Sequence, residues 1–284
     1  MSWGGCAAFR ALVKRALLRQ GYAFMIWIHR IIFTALILYV ALAVIAFFAQ
    51  RKLLYFPPNY YHPPPAEMTE VRTASGGLGW YSPAAADRPT VMVFHGNASS
   101  IDSNMHIFRD LGAAGFGVWS VGYPGYPGTE GRPTQDSLVK TAIDQYEHLS
   151  NMGVERIVFY GTSLGSGVAA QLAAHHQPEL LILDAPFNSV LDMGRRQMPI
   201  LPVSVLMKDT WKSDTALQDL DVPLIWIHGT ADNVIPIAQG QKLFVGYDGP
   251  KTAHSLPGAS HNKTWLSGGR NVVLTALGKL ERSG

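Results

Sequence analysis

The feature that most constrains this chain is a short run from residue 157 to residue 167, with the sequence IVFYGTSLGSG. Four β-favouring residues lead into the pattern G-x-S-x-G, and the Ala- and Leu-rich run 168–174 follows it directly. β-branched and aromatic residues favour a strand, whereas Ala and Leu favour a helix. The run therefore predicts a strand, a sharp turn and the start of a helix.

Ser163 lies at the tip of this predicted turn. A serine held there has a strained backbone, and side chains on its neighbours would collide, so Gly161 and Gly165 give the turn the space it needs. The turn exposes the hydroxyl group, and the following helix directs amide groups towards negative charge that develops beside it. We therefore predict that Ser163 is a nucleophile rather than part of a purely structural Gly/Ser turn.

Nineteen uncharged residues, 31–49, form an apolar run near the N-terminus in which only Thr34 and Tyr39 carry hydroxyl groups. A helix needs about 20 such residues to cross the hydrocarbon core of a bilayer. A buried helix is rarely apolar on every face, and the apolar run of a cleaved signal peptide is usually shorter. The run predicts an uncleaved single-pass signal-anchor, with the basic segment 1–30 before it.

Lys and Arg residues are more frequent before this anchor than after it, which predicts a cytoplasmic N-terminus and a domain on the opposite side of the membrane. Residues 6–20 are also compatible with a basic amphipathic helix or a mitochondrial presequence. Translation from Met25 would still produce a complete anchor. The residues leave these alternatives open.

Charge is distributed unevenly along the chain. The first 52 residues hold seven Lys and Arg residues and no Asp or Glu, and the remainder holds 16 basic and 20 acidic residues, a net charge of −4. A mildly acidic domain without a basic patch gives no reason to expect nucleic-acid binding. The single cysteine, Cys6, excludes an intrachain disulfide and a multi-cysteine metal site. The H-E-x-x-H pattern of many zinc enzymes is also absent from the sequence, so we expect no metal.

Strand-like and helix-like runs alternate from residue 68 to residue 284, which predicts one α/β domain with a mostly parallel sheet and helices on both faces. A Pro- and aromatic-rich linker, 50–67, precedes the domain. The segment 185–220 interrupts the alternation, and we expect a short cap there with about two short helices. Such a cap is a common source of substrate selectivity.

Three polar residues, Ser163, Asp232 and His261, each follow a strand-like run. Reactive groups of an open α/β sheet gather beyond the carboxyl ends of its strands, so these side chains can meet. A serine hydroxyl needs a base to take its proton, and a carboxylate can fix and stabilise the imidazole that does so. We therefore predict a Ser-His-Asp triad.

Four motifs together resemble the α/β-hydrolase superfamily: GTSLG at 161–165, HGNA at 95–98, the turn at Asp232 and the turn at His261. The order Ser, Asp, His along the chain is the one that this superfamily uses. The sequences QRKLLYFP at 50–57 and YPGY at 123–126 resemble a narrower branch, the single-pass membrane-anchored serine hydrolases with a short cap.

The resemblance implies an α/β-hydrolase fold and an oxyanion hole. One donor would be the backbone N–H of Leu164, and the other the N–H of Asn97 or, as a weaker alternative, Ala98. Removing one such donor typically costs about 3 kcal/mol of transition-state stabilisation. His95 is expected to brace the oxyanion loop.

Other residues compete for these roles. Asp184 also ends a strand and is an alternative acid, and His254 is a weaker alternative base. We expect His175 and His176 to be surface residues near a helix end. The tyrosines of the YPGY turn can line an acyl pocket or pack within the turn.

These residues predict a serine hydrolase that cleaves carboxylic esters or thioesters through an acyl-enzyme without a cofactor. The expected substrate is a small acyl ester or a lipid-derived molecule, the latter because of the anchor at 31–49. Two alternatives stay open: a peptidase similar to the prolyl-oligopeptidase catalytic domain, and a non-catalytic membrane-tethered binding module on the same fold.

Overall fold

The computed structural model of the protein describes residues 4–280. Residues 1–3 of the predicted basic segment and residues 281–284 at the end of the predicted α/β domain lie outside the described residues. The described residues up to Gln50 form one compact unit, and those from Arg51 onward form a second.

The described part of the first unit is formed by one long helix, α1 (Gly4–Leu54), as far as Gln50. The last turn of this helix belongs to the second unit. Its part from Leu18 to Leu54 has the length and composition to cross a membrane, and no other helix in the described part of the chain has both. Most apolar side chains between residues 31 and 49 are exposed in the isolated chain. The helix continues beyond both ends of the predicted anchor and finishes inside the predicted linker.

The second unit is built on an eight-stranded sheet in the order β1-β2-β4-β3-β5-β6-β7-β8. Strands β1 and β2 are antiparallel neighbours, β2 is antiparallel to β4, and all other pairs are parallel. The mostly parallel sheet predicted from the sequence is thus confirmed. The strands are β1 (Thr69–Arg72), β2 (Leu78–Ser82), β3 (Thr90–Phe94), β4 (Gly117–Val121), β5 (Ile157–Thr162), β6 (Leu180–Asp184), β7 (Leu224–Gly229) and β8 (Lys251–Leu256).

Helices cover both faces of this sheet, as the alternation of strands and helices predicts. Successive residues of β3 point to opposite sides, so that Met92 and Phe94 belong to one apolar cluster while Val91 and Val93 belong to the other. The main helices are α2 (Met105–Ala113), α3 (Gln135–Asn151), α4 (Leu164–Ala173), α8 (Ile237–Gly246) and α9 (Arg270–Leu280). Helices α3 and α4 contribute to the first cluster, and α2 and α9 contribute to the second.

Helix α3 illustrates how a local pattern fixes an element. Thr134 is its N-cap, and the Thr134 hydroxyl accepts a hydrogen bond from the backbone N–H of Ser137 while the Ser137 hydroxyl accepts one from the backbone N–H of Thr134. This reciprocal capping satisfies two backbone donors that a helix start would otherwise leave unpaired. Leu138, Ala142 and Leu149 then form the buried face that packs on the sheet.

The cap region between β6 and β7 is irregular and holds three short helices rather than the two expected: α5 (Val190–Gln197), α6 (Val203–Leu206) and α7 (Ser213–Ala216). The last two contain four residues each. Helices this short have few internal hydrogen bonds, and their sequence periodicity is too brief to identify. The cap is held instead by buried side chains such as Trp211 and by an isolated bridge from Ser189 to Lys212.

Candidate active site

The turn between β5 and α4 holds Ser163 in a strained conformation, with φ of 54° and ψ of −119°. Two residues before and two residues after Ser163, other backbone atoms lie so close to the chain that only glycine fits. A Cβ on Gly161 would lie 2.4 Å from the carbonyl oxygen of Gly165, and one on Gly165 would lie 2.0 Å from that of Phe94. The glycines of the G-x-S-x-G pattern therefore do what the sequence predicts.

The structure brings Ser163, His261 and Asp232 together in one hydrogen-bonded chain. Nε2 of His261 lies 2.9 Å from Oγ of Ser163, and Nδ1 of His261 lies 2.7 Å from Oδ2 of Asp232. The side chain of Asp232 is fully buried, and that of His261 is 11% exposed. A base thus reaches the serine hydroxyl, and a carboxylate holds the other side of its ring.

Backbone amides fix the carboxylate of Asp232. Its Oδ1 accepts hydrogen bonds of 2.8 Å from the N–H groups of both Val234 and Ile235. The turn after β7 therefore orients the carboxylate, which leaves Oδ2 directed at the His261 ring.

A second histidine, His228, lies beside this carboxylate. It is the fifth residue of β7, its side chain is fully buried, and its Nε2 lies 3.3 Å from Oδ2 of Asp232 and 3.0 Å from the carbonyl oxygen of Ile235. Burial lowers the pKa of His228, which favours the neutral form of the ring beside the carboxylate. Sequence analysis missed this residue, although its position at the end of a strand and four residues before Asp232 was an available signal.

The alternative acid, Asp184, forms different bonds. Its Oδ2 accepts hydrogen bonds from the hydroxyl groups of Tyr160, at 2.8 Å, and Thr264, at 2.7 Å. Burial raises the pKa of Asp184 to about 6, although both hydroxyl groups act in the opposite direction. Thr264 directly follows the short helical turn His261–Lys263, so Asp184 connects the segment that carries His261 to β5.

The other candidate histidines lie elsewhere. His254 pairs with Ile227 within the ladder between β7 and β8 and lines a groove beside α9. His175 follows α4, and the ring of His176 stacks on Tyr146. The chain of contacts from Ser163 runs to His261 instead.

His95 and the two tyrosines of the YPGY turn form a buried aromatic group behind the predicted oxyanion loop. The ring centroids of His95 and Tyr123 are 4.0 Å apart, and the Tyr123 hydroxyl donates to the carbonyl oxygen of His95. Burial lowers the pKa of His95 to about 4, so its ring is neutral at physiological pH. Tyr126 is 3% exposed. The rings of Tyr123 and Tyr126 also contact each other, with centroids 5.6 Å apart, so the turn packs on itself and on His95.

The predicted oxyanion loop passes close to Ser163. A Cβ on Gly96 would lie 3.6 Å from Cβ of Ser163, so Asn97 follows a residue in van der Waals range of the serine. Leu164 is the first residue of α4, where backbone N–H groups lack partners within the helix. The amide of Asn97 thus follows a residue that approaches Ser163, and the amide of Leu164 directly follows Ser163.

The side chain of Asn97 binds a segment far away in sequence. Its Nδ2 donates to the carbonyl oxygen of Leu54, and its Oδ1 accepts from the N–H of Phe56, at 2.9 Å, and from the hydroxyl of Tyr126, at 2.8 Å. The sequence contains no local pattern that predicts this contact, because 41 and 43 residues separate the partners.

Comparison with known proteins identifies the family. A family model described as alpha/beta hydrolase fold matches residues 89–218. An uncharacterized protein of Mycobacterium tuberculosis is 32% identical over 258 residues, which cover 86% of this chain and 92% of that protein. The chain belongs to the α/β-hydrolase superfamily. Protein bem46 of Schizosaccharomyces pombe is 30% identical over 204 residues, which cover 68% of each chain.

Solved structures share this α/β-hydrolase fold at lower identity. An esterase from Pyrococcus furiosus is 17% identical with a TM-score of 0.63, and the match covers 81% of this chain and 97% of the esterase. A monoacylglycerol lipase from Paleococcus ferrophilus is 17% identical with a TM-score of 0.57, covering 71% of this chain and 98% of the lipase. At these identities the likeness describes the fold alone.

Histidine, aspartate and glutamate side chains of the α/β-hydrolase unit are possible ligands of a metal ion. Among the residues that the structure describes, no group of three or more His, Cys, Asp or Glu side chains is arranged to hold a metal ion.

Proposed function

We propose that this α/β-hydrolase is a serine hydrolase that cleaves carboxylic esters or thioesters through an acyl-enzyme. The observation that carries the proposal is the continuous chain from Ser163 Oγ through His261 to Asp232, with separations of 2.9 and 2.7 Å. Nucleophile, base and carboxylate are arranged as acyl transfer requires.

In the first half of the reaction, Ser163 Oγ attacks the carbonyl carbon of the substrate while its proton moves to Nε2 of His261. Asp232 accepts the hydrogen bond from Nδ1 and stabilises the imidazolium that forms. The carbonyl oxygen becomes an oxyanion, for which the backbone N–H groups of Asn97 and Leu164 are the proposed donors. The intermediate then expels the alcohol or thiol, which takes the proton from His261, and leaves the acyl group on Ser163.

In the second half, water attacks the acyl-enzyme and His261 takes the water's proton. The new tetrahedral intermediate releases the carboxylic acid and restores the Ser163 hydroxyl with the proton held by His261. Neutral His228 helps to keep Asp232 aligned without placing a competing positive charge beside it.

The proposed substrates are small acyl esters or lipid-derived esters and thioesters. The cap between β6 and β7 contains only short helices, which favours an open site. A monoacylglycerol lipase and an esterase share the fold, and ester hydrolysis is proposed for this chain by analogy with them.

We also propose the domain organisation given by the sequence. A basic segment, 1–30, precedes an anchor at 31–49, a linker at 50–67 and the α/β-hydrolase domain at 68–284, with its cap at 185–220. The length and composition of α1 support an anchor. The excess of Lys and Arg before the anchor favours a cytoplasmic N-terminus with the catalytic domain on the opposite side.

The direct test is hydrolysis by the full-length protein in detergent micelles of a series of p-nitrophenyl esters and acyl thioesters from acetyl to palmitoyl. We expect an initial burst of alcohol or thiol, and a loss of about 10⁴-fold or more in kcat/KM for Ser163→Ala. The control is Ser150→Ala, which alters an exposed serine in the last turn of α3.

Retention of hydrolysis by Ser163→Ala would contradict the proposed mechanism. Failure of the folded wild-type protein to turn over any member of either series would contradict ester and thioester hydrolysis and favour a peptidase or a binding module.

A further inference from the structure

The segment Arg51–Phe56 connects the predicted anchor to the α/β-hydrolase unit and lies against the predicted oxyanion loop. The Asn97 side chain bridges it, donating to the carbonyl oxygen of Leu54 and accepting from the N–H of Phe56. The amide group of Asn97 thus binds two backbone groups on the segment in the way that a neighbouring strand would.

The opposite side of the same segment is bound to the cap. Tyr55 is 3% exposed, and its hydroxyl oxygen accepts a hydrogen bond of 3.1 Å from Nε1 of the buried Trp211. Arg51 donates to both carboxylate oxygens of Asp209, at 3.0 and 3.2 Å, and the Asp209 side chain is only 5% exposed. Two-pronged bonding of this kind fixes direction as well as distance.

These contacts leave the Asn97 side chain with little freedom. Its Oδ1 also accepts from the Tyr126 hydroxyl, so three hydrogen bonds hold a side chain whose own backbone N–H is a proposed oxyanion donor. Because an oxyanion hole works only when its donors are aligned in advance, a small displacement of the Asn97 backbone weakens transition-state stabilisation.

We propose that Arg51–Phe56 is a positioning segment for catalysis, which aligns the oxyanion loop through Asn97 and joins that loop to the cap through Tyr55 and Arg51. The proposal rests on the proposed serine hydrolase function. It gives the backbone directly after the predicted anchor a role in aligning the oxyanion loop, beyond that of a passive tether. The Asn97 side chain and the Phe56 N–H then act through the oxyanion donor and do not touch the substrate.

Two full-length variants test this proposal from its two sides. Asn97→Ala keeps the backbone N–H but removes all three side-chain bonds. Phe56→Pro removes the N–H that donates to Asn97 Oδ1, and it also fixes φ at residue 56 and restricts the backbone of Tyr55, at a residue that is 52% exposed. The matched control is Phe56→Ala, which keeps this N–H.

The kinetic measurement is kcat per active site, with active sites counted by titration with a fluorophosphonate. We expect a decrease of about 10- to 100-fold for Asn97→Ala and of several-fold for Phe56→Pro, because each misaligns one donor without deleting it. KM should stay within about twofold, since the interaction lost is one made in the transition state. Phe56→Ala should retain more than about half of the wild-type kcat.

The kcat per titrated site separates positioning from general loss of structure, and the pH profile shows whether the pair of His261 and Asp232 has been altered. The midpoint of kcat/KM against pH should be the same in wild type and in both variants, because the contacts between His261 and Asp232 are unchanged. A variant that only unfolds would have fewer sites that react with the fluorophosphonate, and its remaining sites would keep the wild-type kcat.

Failure of this proposal differs from failure of the proposed function. A wild-type protein that is neither titrated by the fluorophosphonate nor active on esters would contradict the function. A wild-type protein that is active, with Asn97→Ala and Phe56→Pro retaining its kcat per titrated site, would overturn the positioning role alone. If Asn97→Ala fails to fold, the comparison of Phe56→Pro with Phe56→Ala decides the question.

Discussion

The two sides of Ser163 are held in place by different parts of the chain. On the base side, the contacts come from turns at the carboxyl ends of neighbouring strands: Asp232 follows β7, His261 follows β8 and Asp184 ends β6. On the side of the proposed oxyanion donor Asn97, called the oxyanion side below, Asn97 follows β3, but its side chain is held by Leu54 and Phe56 from outside the sheet.

This difference explains why the two sides respond to different disturbances. The base side is buried, and its geometry is a consequence of the sheet, so only changes to the fold or to its polar side chains alter it. The oxyanion side depends on a segment that also binds the cap, so changes before residue 57 can reach it. Four predictions test the contrast, from the largest expected effect to the smallest.

The largest effect is expected for Asp232→Asn, which disrupts the base side. The asparagine amide cannot stabilise the imidazolium and favours the wrong tautomer of His261, so kcat should fall by about 10⁴-fold. Steady-state hydrolysis of the ester that the wild type cleaves with the highest kcat/KM measures this fall in kcat. The matched comparison is Asp184→Asn, a neighbouring buried carboxyl that binds Tyr160 and Thr264, for which we expect a loss below about tenfold. Equal losses in the two variants would contradict the assignment of Asp232 as the acid.

The next effect is expected for Gly165→Ala, where the two sides meet. A Cβ there would lie 2.0 Å from the carbonyl oxygen of Phe94, which directly precedes the oxyanion motif. The backbone of β3 or α4 has to shift, and we expect the free energy of unfolding to fall by about 3 kcal/mol or more. Gly112→Ala in α2 is the control, because nothing lies within 4 Å of its Cβ position, and it should change stability by less than about 1 kcal/mol. Denaturant unfolding of both variants measures the difference, and similar stabilities would contradict the close approach.

A third, smaller effect is a pH-dependent change in stability for Asp184→Asn. The pKa of Asp184 is raised from 3.8 to about 6 by burial, so its contribution to stability is fully present below about pH 4 and is lost as the pH rises through about 6. The uncharged asparagine can accept hydrogen bonds from the same two hydroxyl groups, and its contribution to stability does not change with pH. The stability of Asp184→Asn relative to wild type should therefore increase between about pH 4 and about pH 7, by the order of 1–3 kcal/mol. Unfolding at several pH values tests this, and a relative stability that is constant or falls with pH would contradict it.

The smallest effect is expected for Tyr55→Phe on the oxyanion side. This variant leaves the buried Trp211 Nε1 without its acceptor, so we expect the free energy of unfolding to fall by about 1 kcal/mol. The kcat should fall by a few-fold as the segment loosens. Tyr61→Phe is the control, because it removes a hydroxyl from the same linker that binds the exposed carboxylate of Glu70 instead. A control that lowers kcat as much as Tyr55→Phe does would argue against a specific role for the segment.

The same contrast explains what could be predicted from the sequence. The nucleophile turn was recognisable because local pattern decides it: a β-favouring run, two glycines and a helix-forming run are consecutive in the chain. The mostly parallel sheet also follows from the alternation of strands and helices, and the order of Ser163, Asp232 and His261 resembles a known family. The geometry that joins the three residues agrees with their predicted roles, which stay proposals until activity is measured.

Contacts that depend on distant segments could not be predicted in this way. Both Asp184 and Asp232 follow strands, and only the path of the turn after β7 directs Asp232 to His261. The bond from Asn97 to Leu54 and Phe56 joins a side chain to backbone groups, which carry no residue-type signal. The position of His228 four residues before Asp232 is a signal in the sequence, but a buried histidine at a strand end also resembles an ordinary core residue, so the spacing alone does not separate the two.

The most direct measurement is covalent labelling of the full-length protein with a fluorophosphonate, followed by mass spectrometry of its peptides. We predict that the phosphonyl group is found on Ser163, that labelling disappears in Ser163→Ala and that it is greatly slowed in His261→Ala. Absence of labelling in the folded wild-type protein, or labelling of a different residue, would contradict an activated Ser163.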